Sequence, residues 1–181
     1  QTTDVEPIPA LATLLTWADE TRDLAVRANA DTAAEAKLAR ENGAEGIGLC
    51  RTEHMFLDEQ RLPVIRRMIL ADTPEQETQA LNNLRDTQYN DFVELLEQMD
   101  GLPVTIRLLD PPLHEFLPDI DELLQAAARN ELAEEGEALL EAAQKWRERN
   151  PMIGTRGVRL AWLKPGLYEM QTKALLDAIS Q

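Results

Sequence analysis

The stretch LAVRANADTAAEAKLARENGAEGIGLCR, residues 24–51, carries the clearest architectural pattern of the chain. Its two ends, 24–30 and 45–51, are short runs of strand type bounded by Asn, Asp and Gly. Between them TAAEAKLAREN (32–42) has helical composition, with Thr32 or Asp31 placed to cap its start and Gly43 just past its end. A strand, a helix and a second strand in this order imply a parallel pair joined by a right-handed crossover.

Reading outward, ALATLLTWADE (10–20) is an amphipathic helix leading into the unit, and VTIRLL (104–109) is a further strand. A fourth strand-like run covers 157–162, and LYEMQTKALLDAI (167–179) is a closing helix. Acidic residues concentrate in 72–100 and 119–148. There Glu131, Glu134, Glu135, Glu137 and Glu141 alternate with Leu132, Leu139, Leu140 and Ala143 at helical spacing, the pattern of solvated helix faces. Asp119 and Asp121 precede one such helix, and 72–75 is acidic before the other, where negative charge favours a helix N-terminus. The order of elements fits either an open doubly wound sheet or part of a (β/α)8 barrel, and the position of the polar residues chooses between them.

At 181 residues the chain has the length of one domain or of part of a larger one, and 44% hydrophobic with 28% charged residues is a globular composition. A formal charge of −15 argues against general nucleic-acid binding, which needs an excess of Lys and Arg. The absence of a long apolar run or a basic-then-apolar leader predicts a cytoplasmic protein with no membrane partner. Cys50 is the lone cysteine, so neither an internal disulfide nor a thiolate zinc cluster is expected, and its place at the end of an apolar strand predicts a small buried residue.

Arginines stand at the predicted strand ends. Arg51 follows GIGLC, Arg107 lies in VTIRLLD, and Arg156 and Arg159 lie either side of Gly157 in GTRGVRL. An arginine in an apolar strand is costly unless its charge is paired. One solution is local pairing with Glu53, Asp110 or Glu115; the other is a shared anionic ligand, since residues at the C-terminal ends of barrel strands converge and guanidinium groups grip carboxylate and phosphate with two parallel hydrogen bonds.

The motifs GIGLCRTEHMF (46–56), RLPVIRRMILA (61–71), GLPVTIRLLDPPLHEFLP (101–118) and NPMIGTRGVRL (150–160), with VRANADT (26–32), resemble the C-terminal phosphoenolpyruvate-utilising barrel of the pyruvate, phosphate dikinase family. GIGL and its arginine are shared more widely among phosphoenolpyruvate-utilising enzymes, whereas RTEHMF and LLDPPLHEFLP are similar to the dikinases. The resemblance implies an α/β fold, a partial (β/α)8 TIM barrel with about its first four strands and inserted α-helices. It divides the chain into a leading helical segment, 1–23, and a first half-barrel, 24–181, with a helical insertion at 113–150.

It also implies roles. Arg51 and Arg107 would be catalytic, binding the phosphoryl group and the charge that develops in transfer, with Arg156 in the same pocket and Arg159 a further substrate-binding candidate. Thr155 and Val158 stand where His and Cys are expected in many relatives. In the whole enzyme a phosphohistidine on a swivelling domain, charged from ATP and phosphate through an ATP-grasp domain, would pass its phosphoryl group to pyruvate, and Mg2+ would be held by later strands. Neither His54 nor His114 matches the carrier motif: His54 is expected to support Arg51 or to pack, His114 to pack. Cys50 is not the family's enolate-protonating cysteine. Taken alone, the chain is expected to be inactive and to form a homodimer that covers the open edges of strands 24–30 and 104–109. A stand-alone module binding phosphoenolpyruvate or a related anion, or an interaction module using the acidic helices, are the alternatives.

Overall fold

The computed structural model describes residues 8–57, 61–133, 135–148, 150 and 152–181. The expectations for residues 1–7 of the leading segment, for Glu134 of the acidic run and for Pro151 of the 150–160 motif lie outside the described residues.

Three parallel strands form one sheet in the order β1-β2-β3: Ala28–Asn29, Ile47–Arg51 and Val104–Arg107. The crossover from β1 to β2 is helix α2, Ala33–Glu41, following α1, Pro9–Thr21. Thr32 caps α2 by accepting the Glu35 N–H, and the Glu35 carboxylate reaches back to the Asp31 N–H at 2.8 Å, so two otherwise unpaired amides are satisfied together. Beyond α2 the chain turns at Gly43, φ +86°. At Gly46 a side chain has no room: a Cβ would stand 2.6 Å from the Pro103 carbonyl oxygen, to which the Ile47 N–H donates as β2 meets β3.

The α/β class is as expected, but two predicted strands differ. The 24–30 run contributes only Ala28–Asn29 to the ladder, because Leu24 and Val26 lie exposed and Val26 is bonded instead to the backbone and carboxylate of Glu45. The fourth strand is absent from 157–162, which folds as helix α7, Val158–Leu163. A strand there would put Val158, Leu160 and Trp162 on one face; instead Leu160 is fully buried while Val158 and Trp162 face outward. Arg156 therefore sits in the turn before a helix, not at a strand end.

The remaining helices are α3, Leu62–Leu70; α4, Pro74–Gln98; α5, Ile120–Ala128; α6, Gly136–Lys145; and α8, Pro165–Ile179. The acidic run 119–148 is split between α5 and α6, with Asn130 in the left-handed region at φ +54°. Asp119 caps α5 by accepting the amides of Asp121 and Glu122. Helix α4 packs along α8 and touches two apolar clusters. Its Leu84 joins Phe56, Ile65, Met68, Phe116 and Leu160, whereas its Phe92 and Leu95 join Ile47, Cys50 and Ala174 beside the sheet. By contrast, none of the residues of α1 is buried.

Candidate functional site

The site is built at the C-terminal ends of β2 and β3, where Arg51 and Arg107 are register partners on adjacent parallel strands. Parallel neighbours in register project from the same face, so the two guanidinium groups start side by side. Arg51 donates from Nη2 to Asp31 Oδ2 at 2.7 Å and from Nε to the same oxygen at 3.0 Å, and its backbone N–H reaches Asp31 Oδ1 at 2.7 Å. His54 Nδ1 lies 2.8 Å from Asp31 Oδ2. Asp31, just beyond β1, thus orients both residues.

Arg107 is paired with Glu53, and its Nη1 is 3.6 Å from Asp110 Oδ2. Arg156, in the turn before α7, is paired with the same Asp110 oxygen. The result is a row of alternating charges joining three chain segments. Arg51 and Arg107 are the more open partners of their pairs, with side chains 36% and 38% exposed above Asp31 and Glu53 at 6% and 8%, whereas Arg156 and Asp110 are about equally half-buried. Glu53 Oε2 and Arg107 Nε are buried with no hydrogen-bond partner among the described residues.

The local pairing foreseen for Arg107 and Arg156 is therefore present, with Glu53 and Asp110 as partners, and the strand ends also set Arg51 and Arg107 side by side. Arg159 is not brought into the row. It is exposed on α7 near Glu148, whose carboxyl lies below its usual range chiefly because it accepts the Thr155 N–H. His114 is half-buried with Nδ1 unpartnered among the described residues. Cys50 is fully buried, and burial pushes its thiol up to about 12, which removes it as a nucleophile. A crevice between α3, α4 and α6, lined by Arg66, Arg67 and Gln79, lies away from the strand ends.

Asp31 is the residue of this row that the sequence does not mark. It was readable as a helix cap, but its carboxylate faces the next strand instead of the helix, and the only signal for that was its position directly after a strand. Burial alone would raise its pKa; the hydrogen bonds from the Arg51 guanidinium and amide and from His54 outweigh it and hold the carboxyl below its ordinary value. Because the native pKa is depressed, the associated stability is present above the unfolded-state value of about 4 and is lost as pH falls through the native one. Asp31→Asn should lower the melting temperature at pH 7 and flatten its decline below pH 4; an unchanged decline would show that Asp31 does not carry this acid sensitivity.

Among the described residues no three His, Cys, Asp or Glu side chains come together as a metal-binding group, and the row of arginines does not fit a magnesium site. No helix among the described residues is long and apolar enough to cross a membrane.

Residues 7–181 match the family model described as "PEP-utilising enzyme, PEP-binding domain". The chain is 49% identical to a pyruvate, phosphate dikinase of Entamoeba histolytica, over 93% of this chain and 20% of that protein. It is 51% identical to the chloroplastic pyruvate, phosphate dikinase 1 of Arabidopsis thaliana, over 94% of this chain and 18% of the relative, and 51% identical to the enzyme of Rhizobium meliloti, over 93% and 19%. The chain thus spans about a fifth of the length of the curated relatives it matches. With nearly its whole length matched, this chain belongs to the family of PEP-utilising enzymes, as part of their PEP-binding domain.

Proposed function

We propose that this chain supplies the phosphoryl-binding arginines of a pyruvate, phosphate dikinase, which interconverts ATP, phosphate and pyruvate with AMP, diphosphate and phosphoenolpyruvate through a phosphohistidine. The observation that carries the reading is the register pairing of Arg51 with Arg107, with Arg156 joined to Arg107 through Asp110. Phosphoryl transfer requires positioning and charge stabilisation more than covalent chemistry from the protein. Arg51 uses Nε and Nη2 on Asp31, which leaves Nη1 for a phosphate or carboxylate oxygen. The buried carboxylates hold the guanidinium planes in place before a ligand arrives, and the unpartnered Arg107 Nε and Glu53 Oε2 are the kind of orphaned polar atoms that a bound group or water completes.

In this reading Arg51 and Arg107 are catalytic and bind substrate with Arg156, while Arg159 contributes only to the outer field. The parallel strands are the opening strands of a (β/α)8 barrel of which 24–181 is the first half, preceded by the leading segment 1–23 and interrupted by the helical insertion at 113–150. The phosphohistidine and ATP-grasp domains act as partners, magnesium is held by other residues of the complete enzyme, and the 181-residue chain turns over nothing alone. Titration calorimetry with phosphoenolpyruvate tests the reading: saturable binding, displaced by inorganic phosphate, is the expected result, and no heat at millimolar ligand would refute it. The open outer edges of β1 and β3 and the exposed Leu24 and Val26 support pairing of two copies; sedimentation of the same sample as a monomer would refute that part.

A further inference from the structure

Between the two apolar clusters lies a buried polar junction that reaches the site from behind. Thr52, Gln88 and Gln171 are each fully buried. On α4, Gln88 stands one turn from Leu84 in one cluster and one turn from Phe92 in the other; on α8, Gln171 stands likewise between Leu167 and Ala174. Buried between apolar neighbours, the two glutamines carry a desolvation cost that their hydrogen bonds offset.

Those bonds run to the arginine-bearing strand ends. Gln171 Nε2 donates to Thr52 Oγ1 at 3.2 Å and to Gln88 Oε1 at 3.0 Å, while Gln171 Oε1 accepts the Leu109 N–H at 2.9 Å. Thr52 Oγ1 in turn donates to the Arg107 carbonyl at 3.0 Å. Thr52 lies between Arg51 and Glu53, and Glu53 is the partner of Arg107. One side chain on α8 is therefore tied to the residue after Arg51 and to the segment after Arg107, beyond the point where the β2–β3 ladder ends.

We infer that Gln171, acting through Thr52, is a positioning residue that sets the spacing between the Arg51 and Arg107 guanidinium groups. The inference rests on the proposed phosphoenolpyruvate site for its functional meaning, but its geometric content does not. A two-point grip on one phosphate-sized anion tolerates little change in spacing, so loss of the tie should weaken binding without touching either guanidinium.

The test uses the 181-residue chain with Thr52→Val, Thr52→Ser and Gln171→Leu. Valine matches threonine in shape and lacks the hydroxyl; serine keeps it. Folding is followed by circular dichroism, the arginines by their Nε–H NMR signals, and affinity by phosphoenolpyruvate titration. Thr52→Val and Gln171→Leu should each move the Arg51 and Arg107 signals together and weaken phosphoenolpyruvate binding at least tenfold, while Thr52→Ser stays within about threefold of the parent. Unmoved arginine signals in a folded Thr52→Val chain overturn the inference, as does Thr52→Ser behaving like Thr52→Val. If Gln171→Leu does not fold, Gln171→Met keeps the side-chain length and lacks both the donor to Thr52 and the acceptor for Leu109, and the same shifts are required of it. A parent chain that binds no phosphoenolpyruvate refutes the proposed site, while the arginine signals still decide the coupling.

Discussion

Arg107→Ala should abolish measurable phosphoenolpyruvate binding by this chain, a loss of at least a hundredfold. Two effects act in the same direction. The substitution removes a guanidinium from the proposed two-arginine grip, and it leaves Glu53, 8% exposed, without its cationic partner. Truncating one member of a buried, hydrogen-bonded charge pair costs about 2–5 kcal/mol, much of it from the charge left behind, and each 1.4 kcal/mol or so is a factor of ten in affinity. Stability should fall as well, so binding loss alone would not prove a direct contact. The double variant Arg107→Ala with Glu53→Gln separates the two: it should recover most of the stability and none of the binding. Arg51→Ala should lose binding similarly while keeping more stability, because His54 remains hydrogen-bonded to Asp31. Affinity within threefold of the parent in a folded Arg107→Ala chain would remove Arg107 from the site.

The largest effect on stability is expected from Phe92→Ala. Phe92 is fully buried on α4, in the cluster that includes Ile47 and Cys50 of β2, Ala36 of α2 and Ala174 of α8. Truncating a buried phenylalanine costs about 3–5 kcal/mol, the lost transfer energy plus the cavity left behind. Since α2, α4, α8 and the sheet all meet there, the neighbours have little freedom to close the gap. Denaturant unfolding should show the unfolding free energy lowered by this amount through a lower midpoint, with the slope unchanged. A change below about 1 kcal/mol would mean that the cluster beside the sheet is not close-packed around Phe92.

What the sequence determined by itself is the part governed by short-range rules. The βα unit at 24–51 was legible because a capping Thr32, an Ala-rich helix, a left-handed Gly43 and an apolar strand each act within a few residues. The helices at 10–20, 72–100 and 167–179 and the burial of Cys50 followed from the same local patterns. Arg51 and Arg107 could be singled out because arginine in an apolar strand conflicts with its surroundings.

Tertiary structure decided the rest. The 157–162 run alternates well enough for a strand, and it is helical because Leu160 alone has a cluster to enter while Val158 and Trp162 have none among the described residues. Asp31 reads locally as a cap, yet the parallel ladder sets it beside Arg51, twenty residues away. Gln88 and Gln171 look like surface glutamines of amphipathic helices; they are buried because α4 and α8 pack so that both face the seam between the two apolar clusters, where the strand ends leave Thr52 and Leu109 in need of partners. Local propensity acts over a turn or two of chain, and no pattern of that length specifies which distant backbone group a buried amide will meet.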